Sequence, residues 1–287
     1  MMKINFGGIE TEPEKSKIWV FGVPFDGTSS YRKGARNGPE AIRKASSETE
    51  VYDIETGKEI FTSPGIFDAG DVEIKNSKEV KNVVKKKVQK ILSNGKVPLI
   101  LGGEHTLTSG AVEAIDEKFD DLVVVCFDAH ADLRDKWYDE RLDMSKDSHA
   151  CVMKRVVEAV GKENLIELGV REVSKEETEE FKSIMIGSIE IRENLEKIKK
   201  RLDSFVKNKN VYLTIDIDAF DVPGTGTPQP GGIHYYDYLE LISSLENSKK
   251  IVGIDLVEVA PIPESNYSEA FAAKLIFQTI ARLESKI

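Results

Sequence analysis

The sequence predicts an α/β protein, a parallel sheet with helices on both faces. Three observations predict it. Short β-branched apolar runs alternate with longer segments of helical period, the later helical segments carry apolar residues at three- and four-residue steps with charges opposite, and no internal repeat or polar linker divides the 287 residues. Length alone would allow roughly two domains at about 150 residues each. The lack of a linker favours one domain over residues 1–287.

The expected strands are Ile18 to Val23, Val97 to Leu101, Leu122 to Phe127, Leu165 to Val170, Val211 to Ile215 and Ile251 to Val257. Each is a short apolar run rich in branched side chains, as a sheet covered on both faces requires. Between them the helical period predicts helices over Lys78 to Ser93, Ser109 to Phe119, His149 to Val160, Glu190 to Lys207, Tyr236 to Glu246 and Ser268 to Glu284. Leu195, Ile198, Leu202 and Phe205 show the spacing most plainly. The segment from Pro223 to Gly232 holds Pro223, Pro228 and Pro230 with four glycines, which neither helix nor strand accommodates. It is expected to be a shaped loop, and its place directly after an acidic cluster makes it a candidate pocket wall.

Charge narrows the function. Forty basic against fifty acidic residues give a net charge of −10, the wrong sign for a protein that must neutralise nucleic-acid phosphates. No apolar run approaches the ~20 residues of a membrane span, and Met1-Met2-Lys3-Ile4-Asn5 lacks a signal peptide's apolar stretch, so a cytoplasmic protein is expected. Cys126 and Cys151 are too few for a disulfide framework and read as structural thiols.

The strongest chemical signal is the strand Val123 to Phe127 running into Asp128-Ala129-His130-Ala131-Asp132. Single acids at strand ends usually serve turns, but three donors together suit a metal, and if the segment stays extended they share one face. A second strand runs into Asp216-Ile217-Asp218 and then Asp221, again with two carboxylates expected to point the same way. A third ends in Gly102-Gly103-Glu104-His105, where paired glycines allow a sharp turn. Of the four histidines, His105, His130 and His149 fall on or just after these strand ends, and His234 reads as an exposed residue near a helix start. Four aspartates and two histidines exceed one tetrahedral zinc and suit two metals sharing bridging carboxylates, with Mn²⁺ preferred for an oxygen-rich set. Two divalent cations would be balanced by Asp128, Asp132, Asp216 and Asp218, which favours a cationic substrate over an anionic one. Glu258, at the end of the last strand, could clamp a planar guanidinium.

These residues resemble the ureohydrolase family, the arginases and agmatinases that hydrolyse guanidino compounds to urea and an amine. The matching segments are Gly22 to Asp26, Gly34 to Pro39, Gly102 to His105, Asp128 to Asp132, Asp216 to Asp218 and Glu258, in family order over nearly the whole chain. The resemblance implies a three-layer αβα fold around an eight-stranded parallel sheet (arginase-like), two Mn²⁺ per subunit, and a homotrimer or hexamer. It assigns one metal to His105, Asp128, Asp132 and Asp216 and the other to Asp128, His130, Asp216 and Asp218. It makes His149 the proton-transferring histidine and Glu258 the guanidinium partner. A water shared by the metals, its pKa lowered toward ~7, would attack the guanidinium carbon, and His149 would protonate the leaving amine.

Agmatine, cleaved to urea and putrescine, is the expected substrate. The loop from Leu133 to Ser148 mixes acids and bases without an obvious cradle for a carboxylate, and its flanks resemble archaeal-type agmatinases. Arginine or guanidinobutyrate is the alternative. A zinc amide deacetylase on the related fold would use adjacent histidines, and no His-His occurs. A non-catalytic metal-binding homologue would have no need of His149 and Glu258. The loop from Asp221 is shorter than is usual in the family.

Overall fold

Branched apolar strands with both faces covered organise this chain, whose computed structural model describes residues 4–287. Met1 to Lys3, part of the stretch read above for a signal segment, lie outside the described residues. The sheet strands are β1 (Ile18–Val23), β2 (Ile66–Asp71), β3 (Val97–Gly102), β4 (Leu122–Phe127), β5 (Leu165–Val170), β6 (Met185–Gly187), β7 (Asn210–Asp216) and β8 (Lys250–Val257). They lie in the order β6-β5-β4-β7-β8-β3-β1-β2, every neighbouring pair parallel. This is the expected eight-stranded sheet.

The period of two along each strand divides the core into two layers. Val123, Val125 and Phe127 pack to one side with apolar residues of α1 (Gly38–Ser47), α6 (Ser188–Glu193), α7 (Leu195–Val206), α8 (Tyr235–Ser243) and α9 (Tyr267–Leu283). Leu122, Val124 and Cys126 face α2 (Ser77–Ser93), α3 (Thr108–Asp116), α4 (Val152–Val160) and α5 (Lys175–Phe181). Helices on both faces complete the three layers. No helix among the described residues is long and apolar enough to cross a membrane.

Departures from the expected elements are local. Both unexpected strands of the eight-stranded sheet are edges, and two short two-stranded ribbons, Tyr52–Asp53 with Lys58–Glu59 and Trp137–Tyr138 with Met144–Ser145, lie outside it. β2 is Ile66-Phe67-Asp68-Ala69-Gly70-Asp71, and its Asp68 is buried because the Arg43 guanidinium of α1 reaches it at 2.7 Å. β6 has only three residues and pairs with β5 alone. The expected helix from Glu190 to Lys207 is two helices, broken at Asn194, whose backbone (φ −134°, ψ 34°) leaves the helical range. α1 begins with Pro39 in its first turn, and α5 begins with a capping box in which Ser174 and Glu177 satisfy each other's backbone N–H groups. The expected helix from His149 starts instead with a 3₁₀ turn, His149–Cys151.

Candidate active site

Four adjacent strands, β4, β7, β8 and β3, deliver their carboxyl ends to one place. Beyond β3 the chain turns at Gly103, where an added Cβ would lie 1.9 Å from the Phe25 carbonyl, so the loop after β1 can approach only a glycine. His105 follows, fully buried, and its backbone N–H donates to Glu258 Oε1 at 2.8 Å. The Glu258 N–H in turn donates to the Gly103 carbonyl at 2.8 Å, and Glu258 sits at φ 64°, so the end of β8 is held in a left-handed turn that directs its carboxylate inward.

The two aspartate motifs are not extended ladders. β4 ends at Phe127, and Asp132 takes a left-handed backbone (φ 49°). Asp216 ends β7, while Asp218 lies in a 3₁₀ turn, Ile217–Ala219, its N–H donating to Asp216 Oδ1 at 2.9 Å. Curling the backbone, rather than alternation along a strand, is what brings these donors around common points.

Two groups result. His105 Nδ1 stands 3.1 Å from Asp128 Oδ2, 3.4 Å from Asp132 Oδ2 and 3.6 Å from Asp216 Oδ2. His130 Nδ1 stands 2.9 Å from Asp218 Oδ2 and 3.7 Å from Asp128 Oδ1. Asp128 therefore belongs to both. His105 Nδ1 and Asp128 Oδ2 are buried without a hydrogen-bond partner among the described residues, a costly arrangement that a cation between them would relieve. Asp128, His130 and Asp218, and separately His105, Cys126 and Asp128, place donor atoms within 4.8 Å of one another. The donor set thus fits cations. Burial, with the neighbouring carboxylates, pushes the Cys126 thiol up, so it stays protonated and apolar, and Cys151 is pushed up to about 12. Both thiols are free.

The electrostatics agree. Burial, then the Asp218, Asp128 and Glu258 charges, holds the Asp216 carboxyl well above its ordinary range. Burial opposes protonation of His130 and His105, but the flanking aspartates outweigh it, taking His130 up to about 12 and His105 well above its usual value. Carboxylates packed this closely need positive charge among them.

Behind His105, Thr214 sets the tautomer. Its hydroxyl donates to Asp255 Oδ1 at 2.6 Å and lies 2.9 Å from His105 Nε2. With its single hydrogen committed, Thr214 accepts from Nε2–H, so Nδ1 is the nitrogen that would offer its lone pair to a cation held among the aspartates. Asp255 also accepts from Thr108 (2.7 Å) and from the Tyr212 hydroxyl.

A cavity of ≈ 220 Å³ opens over the cluster, lined by His130, Asp132, Asp216, Asp218, Glu258 and His149 together with Ser30, Arg134, Trp137, Glu172 and Thr227. His149 Nδ1 is 3.2 Å from Thr28 Oγ1 and its Nε2 is 3.4 Å from Ser30 Oγ. Thr227 comes from the Pro/Gly segment, which walls the cavity as its position suggested; Arg32 and Arg171 anchor that loop through its backbone carbonyls. All eight expected site residues therefore meet. Asp221 does not: it is exposed and accepts from Gly232 N–H at 3.1 Å. His234 is exposed at the start of α8, as expected. Sequence reasoning missed Thr28, Ser30 and Glu172, residue types too common to signal anything, and it passed over Glu104, although the Gly-Gly-Glu-His run already contained it.

Fold and site define an α/β protein with a carboxylate–histidine cluster, suited to hold cations, at the carboxyl edge of its sheet. Residues 16–281 match the Arginase family model, and the chain belongs to that family as an enzyme of the agmatinase type of ureohydrolase. It is 36% identical over 272 residues to an agmatinase of Bacillus anthracis, covering 92% of this chain and 90% of that one. It is 37% identical over 294 residues to an N(1)-aminopropylagmatine ureohydrolase of Thermococcus kodakarensis, covering 98% and 95%. The crystal structure of the agmatine ureohydrolase of Thermoplasma volcanium superposes with a TM-score of 0.89 at 34% identity, covering 99% of this chain and 95% of that one.

Proposed function

We propose that the chain, as one domain, hydrolyses the guanidino group of agmatine to urea and putrescine with two Mn²⁺ held by His105, Asp128, Asp132 and Asp216 and by Asp128, His130, Asp216 and Asp218. The observation that carries this reading is the partition of donors around His105 and His130 with Asp128 common to both, beneath a cavity that Glu258 and His149 also line. When bound, two such cations supply the Lewis acidity that makes water a nucleophile at neutral pH. The rest falls to the chain's own groups.

Glu258 binds the substrate. Its Oε1 takes the His105 N–H, leaving Oε2 for a guanidinium N–H, and the planar cation is held with its carbon over the cluster. Asp128 spans the two groups, and in the proposed assignment Asp216 would do so as well. His149 gives a proton to the nitrogen as its bond to the guanidinium carbon breaks, because an amide anion does not leave; positioned proton transfer of this kind contributes about 10²- to 10⁴-fold. Atoms balance as agmatine plus water to putrescine plus urea.

Glu172, an exposed carboxylate on the cavity wall, suits the cationic far end of agmatine. Arg134, which lines the same cavity stacked 4.5 Å over Trp137, supports a second reading in which an acidic tail, as in arginine or guanidinobutyrate, is accepted. Urea release with Mn²⁺ across agmatine, N(1)-aminopropylagmatine, arginine and guanidinobutyrate decides between them. The highest kcat/KM is expected for agmatine, and a preference for a carboxylate-bearing substrate would overturn that choice. His149→Ala is expected to lose turnover with its metals retained. The free Cys126 and Cys151 support work in the reducing cytoplasm, and sedimentation will show whether the chain is the homotrimer or hexamer expected of it.

A further inference from the structure

The loop after β1 and the Gly-Gly-Glu-His turn meet beside His149, where Thr28 bonds to both Glu104 and His149. Glu104, 1% exposed, accepts from four donors: Thr28 Oγ1 (2.6 Å) and Thr106 Oγ1 (2.7 Å) at Oε1, Thr28 N–H (2.7 Å) and Ser29 Oγ (3.4 Å) at Oε2. Thr28, 3% exposed, meets His149 twice. Its Oγ1 accepts from the His149 backbone N–H at 3.0 Å and lies 3.2 Å from Nδ1.

A hydroxyl has one hydrogen, and that of Thr28 is committed to Glu104. Toward His149 it therefore offers only lone pairs. A lone pair facing Nδ1 selects the tautomer with hydrogen on Nδ1, which leaves Nε2, beside Ser30 at the exposed end of the ring, as the nitrogen that takes and gives a proton. We propose that Glu104 and Thr28 form a carboxylate–hydroxyl relay that fixes the tautomer and orientation of His149, making both of them positioning residues for proton transfer at Nε2. This rests on the reading of His149 as the group that protonates the leaving amine. Neither residue lines the cavity; the relay acts through His149, as the carboxylate behind a catalytic histidine does in other hydrolases.

The test uses the Mn²⁺-loaded enzyme with agmatine. Thr28→Val keeps the shape and removes the acceptor. Turnover is expected to fall roughly 10- to 100-fold, a part of the 10²- to 10⁴-fold that proton transfer supplies, while KM and manganese content stay within twofold. The limb of the kcat–pH profile that reports protonated His149 should move to lower pH, because the imidazolium loses an acceptor; the other titratable and charged groups lining the same cavity, His130, Asp132, Arg134, Glu172, Glu177, Asp216, Asp218 and Glu258, are unaltered. Thr28→Ser retains the hydroxyl and should restore both turnover and profile. Glu104→Gln serves if Thr28→Val does not fold: its amide can donate to Thr28 Oγ1 and reverse the relay, with the same loss and shift. Wild-type turnover in Thr28→Val, no shift of the profile, loss of manganese, or a Thr28→Ser variant as slow as Thr28→Val would each overturn the relay while His149→Ala remains crippled. Near wild-type activity in His149→Ala would remove the role of His149 itself, and the relay with it.

Discussion

Thr214→Val probes the cation centre from behind. Thr214, His105 and Asp255 are all fully buried, and the Thr214 hydroxyl alone joins the His105 Nε2–H (2.9 Å) to Asp255 Oδ1 (2.6 Å). Valine fills nearly the same space without the hydroxyl. The Nε2–H loses its acceptor in a dry site, which costs about 1–3 kcal/mol of folding stability. Asp255 keeps its bonds from Thr108 and Tyr212, so the change falls mainly on the imidazole. With its far nitrogen released, the ring no longer holds Nδ1 as a lone pair toward Asp128, Asp132 and Asp216. Loss of such a supporting bond typically weakens metal binding about 10- to 100-fold, or about 1.4–2.8 kcal/mol. Calorimetric titration of chelator-treated protein with Mn²⁺ reads the affinity, and a denaturant midpoint reads the stability. Thr214→Ser should match the wild type in both. Two manganese ions bound by Thr214→Val with unchanged affinity would refute the reasoning.

Three further outcomes follow from the same geometry. Glu258→Gln removes a charge-assisted bond to the guanidinium worth about 1.5–3 kcal/mol, so kcat/KM for agmatine should fall by one to two orders of magnitude with metal content unchanged. Glu172→Gln should raise KM for agmatine by no more than about fivefold, since an exposed ion pair contributes 0.2–1 kcal/mol, and the effect should vanish at high salt, kcat being unaffected. Asp68→Asn leaves the buried Arg43 guanidinium with Asp71 as its one remaining carboxylate partner and should cost about 1.5–3 kcal/mol by chemical denaturation. Burial alone would raise the Asp68 carboxyl, but Arg43 outweighs it and holds it below its usual value of 3.8. A native pKa below the unfolded one means that this stability is present above about pH 4 and lost as the pH falls through the native value, so the deficit of Asp68→Asn should shrink in acid.

What was legible in the sequence is what physics writes as contrast. Asp128, His130, Asp132, Asp216 and Asp218 stand out because they cluster at the ends of two strands rich in branched apolar residues, and β4 and β7 are buried throughout because helices cover both faces of the sheet. β2 and β6 carry no such contrast: as edge strands they need less apolar surface, and the acids of β2 are explained only by Arg43, a residue distant in sequence. Site membership was legible, but its geometry was not. The left-handed backbones at Asp132 and Glu258 and the 3₁₀ turn carrying Asp218 come from tertiary constraint rather than local preference. Thr28 and Glu104 were silent for another reason. A hydroxyl's role depends on where its one hydrogen goes, and that is decided by a neighbour 76 positions away.

The order of the sheet explains why the centre forms where it does. β1 to β3 build one side and β4 to β6 the other, and β7 and β8, the last strands in the chain, sit between β4 and β3. Asp216, Asp218 and Glu258 therefore enter a gap already flanked by His105 on one side and Asp128, His130 and Asp132 on the other. The two junctions that seat this pair, β4–β7 and β8–β3, are the longest-range pairings of the sheet, those whose loop-closure cost is highest. Cations drawing on donors from β3, β4 and β7 would clamp the β4–β7 junction and the strands beside it, and because the unfolded chain offers no such preformed set, their binding energy would add to the stability of the folded state. The same side chains that prepare the site for catalysis would thus hold together the two sides of the sheet at its longest-range pairings.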